Sequence, residues 1–191
     1  MKVNEIFYSL QGEGARAGQP TLFIRLSGCD LSCGFCDTEF KSGTEVPDSL
    51  LLERVKQNGC EWVTWTGGEP MLQLRSETVN LFKANGLKQS LETNGGHPVP
   101  FDIDWLVVSP KVSEHVLARN FPNGVDELRY AWHCGKLSVP VPDIPASHKY
   151  LSPIFDGNEQ NLANLKHCVA LCKKNPEWRL SIQQHKLWNI L

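Results

Sequence analysis

Apolar and polar side chains alternate through residues 20–28, where Leu22, Ile24 and Leu26 interleave with Phe23 and Arg25, and this period of two predicts a strand. The strand runs straight into Gly-, Asp- and Ser-containing sequence, which predicts a loop. Beyond a Gly- and Pro-containing stretch at 42–48, Leu51, Leu52 and Val55 take helical spacing and predict a helix over 49–58. A β-rich run at 61–66 is closed by Gly67-Gly68-Glu69-Pro70. A second helix is predicted over 76–84, stopped by Asn85-Gly86, a C-terminal capping signal. The alternation then repeats. A short strand at 89–93 ends in Asn94-Gly95-Gly96, an apolar strand at 103–108 ends in Ser109-Pro110-Lys111, and further strands are predicted at 125–131 and 148–151. The clearest helix spans about 159–174, with Leu162, Leu165, Val169 and Cys172 on one face. Residues 179–183 predict a last strand, followed by a tail at 184–191.

Strands alternating with helices predict an α/β fold. There is no internal repeat and no low-complexity segment. Roughly six strand–helix units fit, fewer than the eight of a closed barrel of roughly 250 residues. The expected architecture is therefore an open, partial (β/α)6-like barrel forming one domain over residues 1–191. The loops carrying the first cysteines, Gly-Gly-Glu-Pro and Ser-Pro-Lys each follow a strand. They are expected to gather at one rim, where parallel α/β folds place their active sites.

Composition narrows the context. The 191 residues are 41% hydrophobic, enough for a substantial core. A formal net charge of -2, without any Lys/Arg run, gives no electrostatic support to a nucleic-acid partner. The first six residues carry charges and lack the apolar centre of a signal peptide. No apolar stretch approaches the roughly 20 residues that span a bilayer, so no membrane association is expected. A cytoplasmic location with reduced thiols follows as the expectation.

In that setting the odd count of 7 cysteines argues against a disulfide framework. Cys29, Cys33 and Cys36 crowd into eight positions, whereas Cys60, Cys134, Cys168 and Cys172 are scattered and read as core filling. Three thiolates on one loop suit a soft metal centre. Three readings stay open on spacing alone. A four-iron cluster with one open iron explains all three cysteines. A zinc site needs a second ligand pair, and Cys60 has no partner near it in sequence. A redox C-x-x-C at Cys33 and Cys36 leaves Cys29 unexplained.

The string Cys29-x3-Cys33-x-Phe35-Cys36, together with Gly67-Gly68-Glu69-Pro70, resembles the radical S-adenosylmethionine superfamily. Leu10-Gln11-Gly12-Glu13-Gly14, Phe23-Ile24-Arg25-Leu26, Cys36-Asp37-Thr38 and Val108-Ser109-Pro110-Lys111 extend the likeness. With Arg179-Leu180-Ser181-Ile182-Gln183-x-His185-Lys186 they resemble the 7-carboxy-7-deazaguanine synthase family over essentially the whole chain. The resemblance implies a [4Fe–4S] cluster that cleaves S-adenosylmethionine to a 5′-deoxyadenosyl radical. It also implies Mg²⁺ and a ring contraction of 6-carboxy-5,6,7,8-tetrahydropterin to 7-carboxy-7-deazaguanine, with loss of ammonia, on the way to queuosine and related deazapurines. Adenosylmethionine is used catalytically in that family. A homodimer and a flavodoxin-type reductant are further implications.

The same resemblance assigns residues. Cys29, Cys33 and Cys36 ligate the cluster and Thr38 the Mg²⁺, a neutral hydroxyl being an acceptable hard ligand when substrate carboxylate and water complete the shell. Gly68, Ser109, Pro110, Lys111, Ser152, Pro153, Ile154 and Phe155 contact adenosylmethionine; relatives often carry Gln where Ser152 stands. Leu10, Gln11, Gly12, Arg25, Thr66 and the terminal Leu191 contact the pterin, Arg25 as a bidentate partner for its carboxylate. Without the resemblance, Thr38 reads as a loop cap, Lys111 as a solvated lysine and Gln11-Gly12 as a turn. Glu92 and Asn94 are expected to face the same rim, His185 has a titration range suited to proton transfer, and no role is assigned to these three. A glycyl-radical activating enzyme shares the cluster loop but does not explain the terminal motifs. A zinc- or cluster-binding interaction module predicts closed coordination and no affinity for adenosylmethionine.

Overall fold

A strand that the sequence pattern does not predict, β1 (Lys2–Leu10), opens the chain in the computed structural model, which describes residues 1–190. It pairs antiparallel with β2 (Pro20–Leu26), from Val3 opposite Leu26 to Leu10 opposite Pro20. A register shift between Val3 and Glu5 breaks the period of two there. β3 (Thr44–Glu45) adds two residues to the outer edge of β1.

From β2 onward the sheet is parallel. β2, β4 (Trp62–Gly67), β5 (Lys88–Thr93), β6 (Trp105–Val108), β7 (Val125–Trp132), β8 (Ala146–Pro153) and β9 (Arg179–Leu180) lie side by side, with β3 and β9 at the two edges. The expected open partial barrel is present. Its crossovers depart from six strand–helix units, however. α1 (Asp48–Asn58), α2 (Ser76–Ala84), α3 (Glu114–Asn120) and α4 (Leu162–Lys174) connect parallel neighbours, but β5–β6 and β7–β8 are joined by loops. Pro98 and Pro100 in the first loop, and Pro140, Pro142 and Pro145 in the second, lack the amide that helix propagation needs.

Three boundaries also move. The helix expected from about 159 starts at Leu162, because Asn161 caps it by accepting from the Asn164 amide at 2.9 Å. β6 begins at Trp105 rather than 103, since the carboxylate of Asp104 is turned back onto the Gln89 amide at 2.8 Å. The last strand covers Arg179–Leu180 only, and the chain then turns into α5 (Gln184–Trp188), which replaces the expected tail.

The two faces of the sheet differ in chemistry. Leu22, Ile24, Leu26, Val63, Trp65 and Leu91 form one buried cluster with Leu51, Val55, Val79 and Phe82 of α1 and α2. Val108, Leu128 and Leu151 form a second with Leu117 of α3 and Cys168 and Leu171 of α4. Truncating one of these buried aliphatic side chains to alanine costs about 2–5 kcal/mol.

The alternate positions face the barrel interior, which is polar. Thr21 and Thr64 hydroxyls meet at 2.8 Å, Thr64 and Ser90 at 2.8 Å, and Arg16 Nη1 donates to Ser90 at 2.9 Å. Arg16 also stacks 3.6 Å above the Trp62 ring. This layer fills the end of the barrel remote from the cysteine loop. The β1–β2 connection, residues 11–19, leaves the sheet at that remote end and folds back inside. Gly14 N donates to Ser181 Oγ at 2.9 Å and Ala15 N to Glu127 at 3.0 Å. The Leu10–Gly14 motif thus reaches the interior from below, while the loops that follow strands form the rim.

Candidate functional site

The cysteine loop is closed at its base, where the Gly28 amide donates to the Phe40 carbonyl at 2.7 Å. A tight turn brings Cys36 N to within 3.1 Å of Cys33 O. Cys29, Cys33 and Cys36 all line one cavity of about 590 Å³ at the rim. The other four thiols do not. Cys60 and Cys168 are buried in the two cores, as expected, and Cys172 is half-buried on α4. Cys134 is exposed instead of buried, because it sits in the β7–β8 loop, held to α4 by its backbone amide on Asn164 at 2.9 Å rather than by its side chain.

Among the described residues, no three His, Cys, Asp or Glu side chains converge as they do around a single ion. A tetrahedral zinc draws its sulfurs to about 2.3 Å from one centre. A cluster spreads its thiolates over separate irons, so three cysteines lining one cavity fit it.

Around the same cavity lie Gly67 and Gly68 at the end of β4, Ser109 and Lys111 after β6, and Ser152, Pro153, Ile154 and Phe155 at the end of β8. Pro110 is half-buried between two lining residues without lining the cavity itself. Ser152 Oγ is buried and unpartnered, an orphan hydroxyl facing space that a polar cofactor would fill. Ser109 Oγ donates to the Arg129 carbonyl at 2.9 Å and accepts from Lys111 Nζ at 2.8 Å. Lys111 is no solvated lysine. It lies 5.5 Å from the Phe35 ring, and burial pushes its ammonium below the ordinary lysine range.

The Gly-Gly pair serves the chain itself. A Cβ at Gly68 would overlap the Gly28 carbonyl oxygen, and Gly67 has a φ of 122° beside the Leu26 backbone. Gly68 N donates to Leu26 O at 3.0 Å and Glu69 N to Gly28 O at 2.8 Å, joining the loop to the cluster segment. Glu69 is fully buried and accepts from Met71 N, Asn94 N and Thr93 Oγ1. Burial nevertheless pushes its carboxyl above the usual range.

A second cavity, about 530 Å³, adjoins the first. Leu10, Gln11, Gly12, Arg25, Thr38 and Thr66 line it, so the expected pterin contacts come together with the expected Mg²⁺ ligand. Leu191 lies outside the described residues; its neighbour Ile190 lines this cavity. Phe7 and Phe23 are stacked with centroids 4.9 Å apart, and both line the cavity with Arg25, giving it an aromatic side and a cation. Glu13, Thr38, Thr66, Glu92 and Arg129 belong to both linings. Glu92 sits at that boundary, accepting from Thr66 Oγ1 at 3.0 Å and Gln11 Nε2 at 3.0 Å. Asn94 lines only the first cavity and donates to Asp30 at 3.2 Å.

The two terminal motifs pack on each other. Gln184 N donates to Gly12 O at 2.9 Å, and a Cβ on Gly12 would overlap the His185 ring. Burial pulls the His185 imidazole below its ordinary value. Lys186 Nζ reaches Asp37 at 2.6 Å and Gly157 O at 2.9 Å, and Gln183 reaches Asp37 at 3.1 Å. For Asp37 burial acts upward, but the Lys186 hydrogen bond and charge win and hold its carboxyl below the usual range.

A carboxyl depressed in the folded state stabilises above its unfolded value of about 3.9 and loses that contribution as pH falls through its own lower value. Lys186→Met is therefore expected to speed amide exchange in 184–190 roughly ten-fold at neutral pH, the low end for a charged hydrogen bond given the exposure of Asp37. The gap between variant and wild type should close only in strong acid. A gap that closes already near neutrality rules out the pair as the tether.

Residues that the sequence pattern did not single out complete the site. Asp37, Gln183 and Lys186 fell inside motifs without a role. Arg129 fell in none, although Glu127 and Arg129 two apart in an apolar strand put two charges on one face, a signal in plain sight.

The 4Fe-4S single cluster domain family matches residues 10–97. The chain is 38% identical to the 7-carboxy-7-deazaguanine synthase of Bacteroides thetaiotaomicron, over 99% of this chain and 98% of that one. It is 36% identical to the synthase of the same name from Burkholderia multivorans, over 98% of both chains. The crystal structure of QueE from Escherichia coli superposes with a TM-score of 0.76 at 27% identity, covering 96% of this chain and 94% of the other.

Proposed function

The chain belongs to the 7-carboxy-7-deazaguanine synthase family, and we propose that its two adjoining cavities convert 6-carboxy-5,6,7,8-tetrahydropterin into 7-carboxy-7-deazaguanine with loss of ammonia, in queuosine and 7-deazapurine biosynthesis. The single observation that carries the reading is the shared boundary. A thiol-lined chamber with an orphan hydroxyl meets a chamber lined by Arg25, Gln11 and an aromatic pair, and Thr66 and Glu92 stand in both. The reaction removes ammonia without net oxidation, so a radical generator that is regenerated each turn suffices.

Cys29, Cys33 and Cys36 hold the [4Fe–4S] cluster, and Gly68, Ser109–Lys111 and Ser152–Phe155 hold adenosylmethionine. Bound together, these two groups supply a hydrogen-abstracting radical. The chain's own residues position the pterin against it. Arg25 takes the carboxylate as a planar fork, Gln11 and Glu92 offer acceptors to ring N–H groups, and Gly12 lets the backbone lie close to a flat ring. Leu10 and Thr66 complete the wall, with the chain end at Leu191.

Thr38, which lines both cavities, would hold Mg²⁺, and the ion would supply positive charge for the pterin carboxylate. A flavodoxin-type reductant reaches the cluster at the exposed Cys36 and Phe35. Exposed Tyr8, Leu187 and Trp188 support a homodimer. The continuous nine-stranded sheet supports one domain over 1–191. No helix among the described residues is long and apolar enough to cross a membrane, and the free thiols support a cytoplasmic setting.

Anaerobic reconstitution with iron and sulfide, then addition of adenosylmethionine, dithionite, Mg²⁺ and the carboxytetrahydropterin, tests the reading. A deazaguanine chromophore should appear without stoichiometric loss of adenosylmethionine. Loaded protein that cleaves adenosylmethionine yet leaves the pterin intact would sink it.

A further inference from the structure

One guanidinium in the barrel interior has no part in the chemistry above. The Arg129 side chain is 7% exposed, and its fork reaches three carboxylates, one in the β1–β2 connection, one on β5 and one on its own strand: Glu13 Oε2 at 2.5 Å, Glu92 Oε1 at 3.3 Å and Glu127 Oε1 at 2.9 Å. Glu127 fastens the hairpin loop below by accepting from Ala15 N at 3.0 Å. Glu13, Glu92 and Arg129 each line both cavities.

We infer that Arg129 is a positioning residue for the ring contraction, its fork holding the Glu13 and Glu92 carboxylates in place where cofactor and pterin meet. The inference rests on the synthase reading and gives a role to a residue outside every motif. Three carboxylates gathered in one interior repel, and the guanidinium between them offsets that repulsion and fixes where each oxygen points. A Glu92 side chain turned away from the boundary would no longer meet the N–H groups of a reduced pterin. A guanidinium does not deprotonate and spans two or three acceptors in one plane; an ammonium neutralises without spanning. The other charged groups facing these carboxylates are Arg16, Lys111 and His185. None of the three makes a hydrogen bond to Glu13 or Glu92 among those seen here, so none replaces the fork.

The test uses loaded holoenzyme of wild type, Arg129→Gln and Arg129→Lys. Arg129→Gln is expected to lower kcat about 100-fold or more, since without the fork the two carboxylates shift and about 1 Å of misplacement costs about 100-fold. Cluster content should stay at wild-type level, and the KM for the pterin should change by less than kcat. Arg129→Lys should recover part of the loss and leave kcat about ten-fold down, an ammonium neutralising without spanning.

A Gln variant with wild-type kcat overturns the inference, as does a loss carried by the KM for the pterin alone. If the Gln variant fails to load a cluster, the Lys variant decides: wild-type kcat overturns the inference, and a lower kcat at wild-type cluster content supports it. Failure of the synthase reading appears separately, as wild-type protein that does not turn over the pterin.

Discussion

Replacing any one of Cys29, Cys33 or Cys36 by alanine is expected to abolish pterin turnover and pterin-independent cleavage of adenosylmethionine together. These are the thiols that line the rim cavity. No other cysteine lines that cavity: Cys60 and Cys168 are held in the cores, and burial pushes the Cys168 thiol up to about 12, far from thiolate character at neutral pH. Loss of outer partners of a metal ligand already costs about 10–100-fold, so loss of the ligand itself should exceed about 100-fold. Iron and sulfide per chain after anaerobic reconstitution should fall with activity. Thermal unfolding of the cluster-free protein should hardly change, since most side chains from residue 30 to residue 37 are exposed and outside both cores. Cys60→Ala makes the opposite expectation, with full cluster content and lower stability from a core cavity. A cysteine-loop variant with full iron and wild-type turnover would refute the ligand assignment.

The contrast between rim and hairpin shows which parts of this fold a sequence displays. The parallel strands were legible because one face of each carries Leu, Ile, Val or Trp at alternate positions, and α2 ends at Ala84 because Asn85-Gly86 follows it. The loops after strands were legible for the same reason, so the cysteines, Gly68, Ser109 and Lys111 fell together as expected. β1 was not, since its register shift interrupts the alternation. α3 and α5 are 7 and 5 residues long, too short for a helical period to register. The final strand was overextended because Arg179 to Gln183 alternates well, whereas tertiary partners end the pairing. Ser181 N makes the last bond to β8, donating to Leu151 O at 3.0 Å, and Gln183 is drawn to Asp37. Arg129 was hidden for a different reason: Glu13 and Glu92 lie 116 and 37 positions away, so its environment exists only once the barrel has formed.

Gly68→Ala is expected to cost about 100-fold in turnover with a raised KM for adenosylmethionine, whereas Gly12→Ala should raise the KM for the pterin alone. At Gly68 the new methyl would overlap the Gly28 carbonyl oxygen, stand 2.5 Å from the carbonyl carbon and lie 3.2 Å from Cys29 Cβ. Two of those atoms are backbone, held by Gly68 N to Leu26 O at 3.0 Å and Glu69 N to Gly28 O at 2.8 Å, so no side chain can rotate away. The cluster segment itself must move, and a displacement of about 1 Å in reacting groups costs about 100-fold. At Gly12 the methyl meets Nδ1, Cγ and Cβ of His185, carried on the short α5. Rotation of the ring does not move Cβ, so the five-residue α5 must shift, taking with it one wall of the pterin cavity. Steady-state KM values for both substrates, measured on preparations of matched iron content, separate the cases. A Gly68→Ala enzyme with wild-type KM for adenosylmethionine, or a Gly12→Ala enzyme impaired equally toward both, contradicts the division of labour between the two cavities. The two glycines stand on opposite sides of the Thr66–Glu92 boundary, so their variants probe the cavities one at a time.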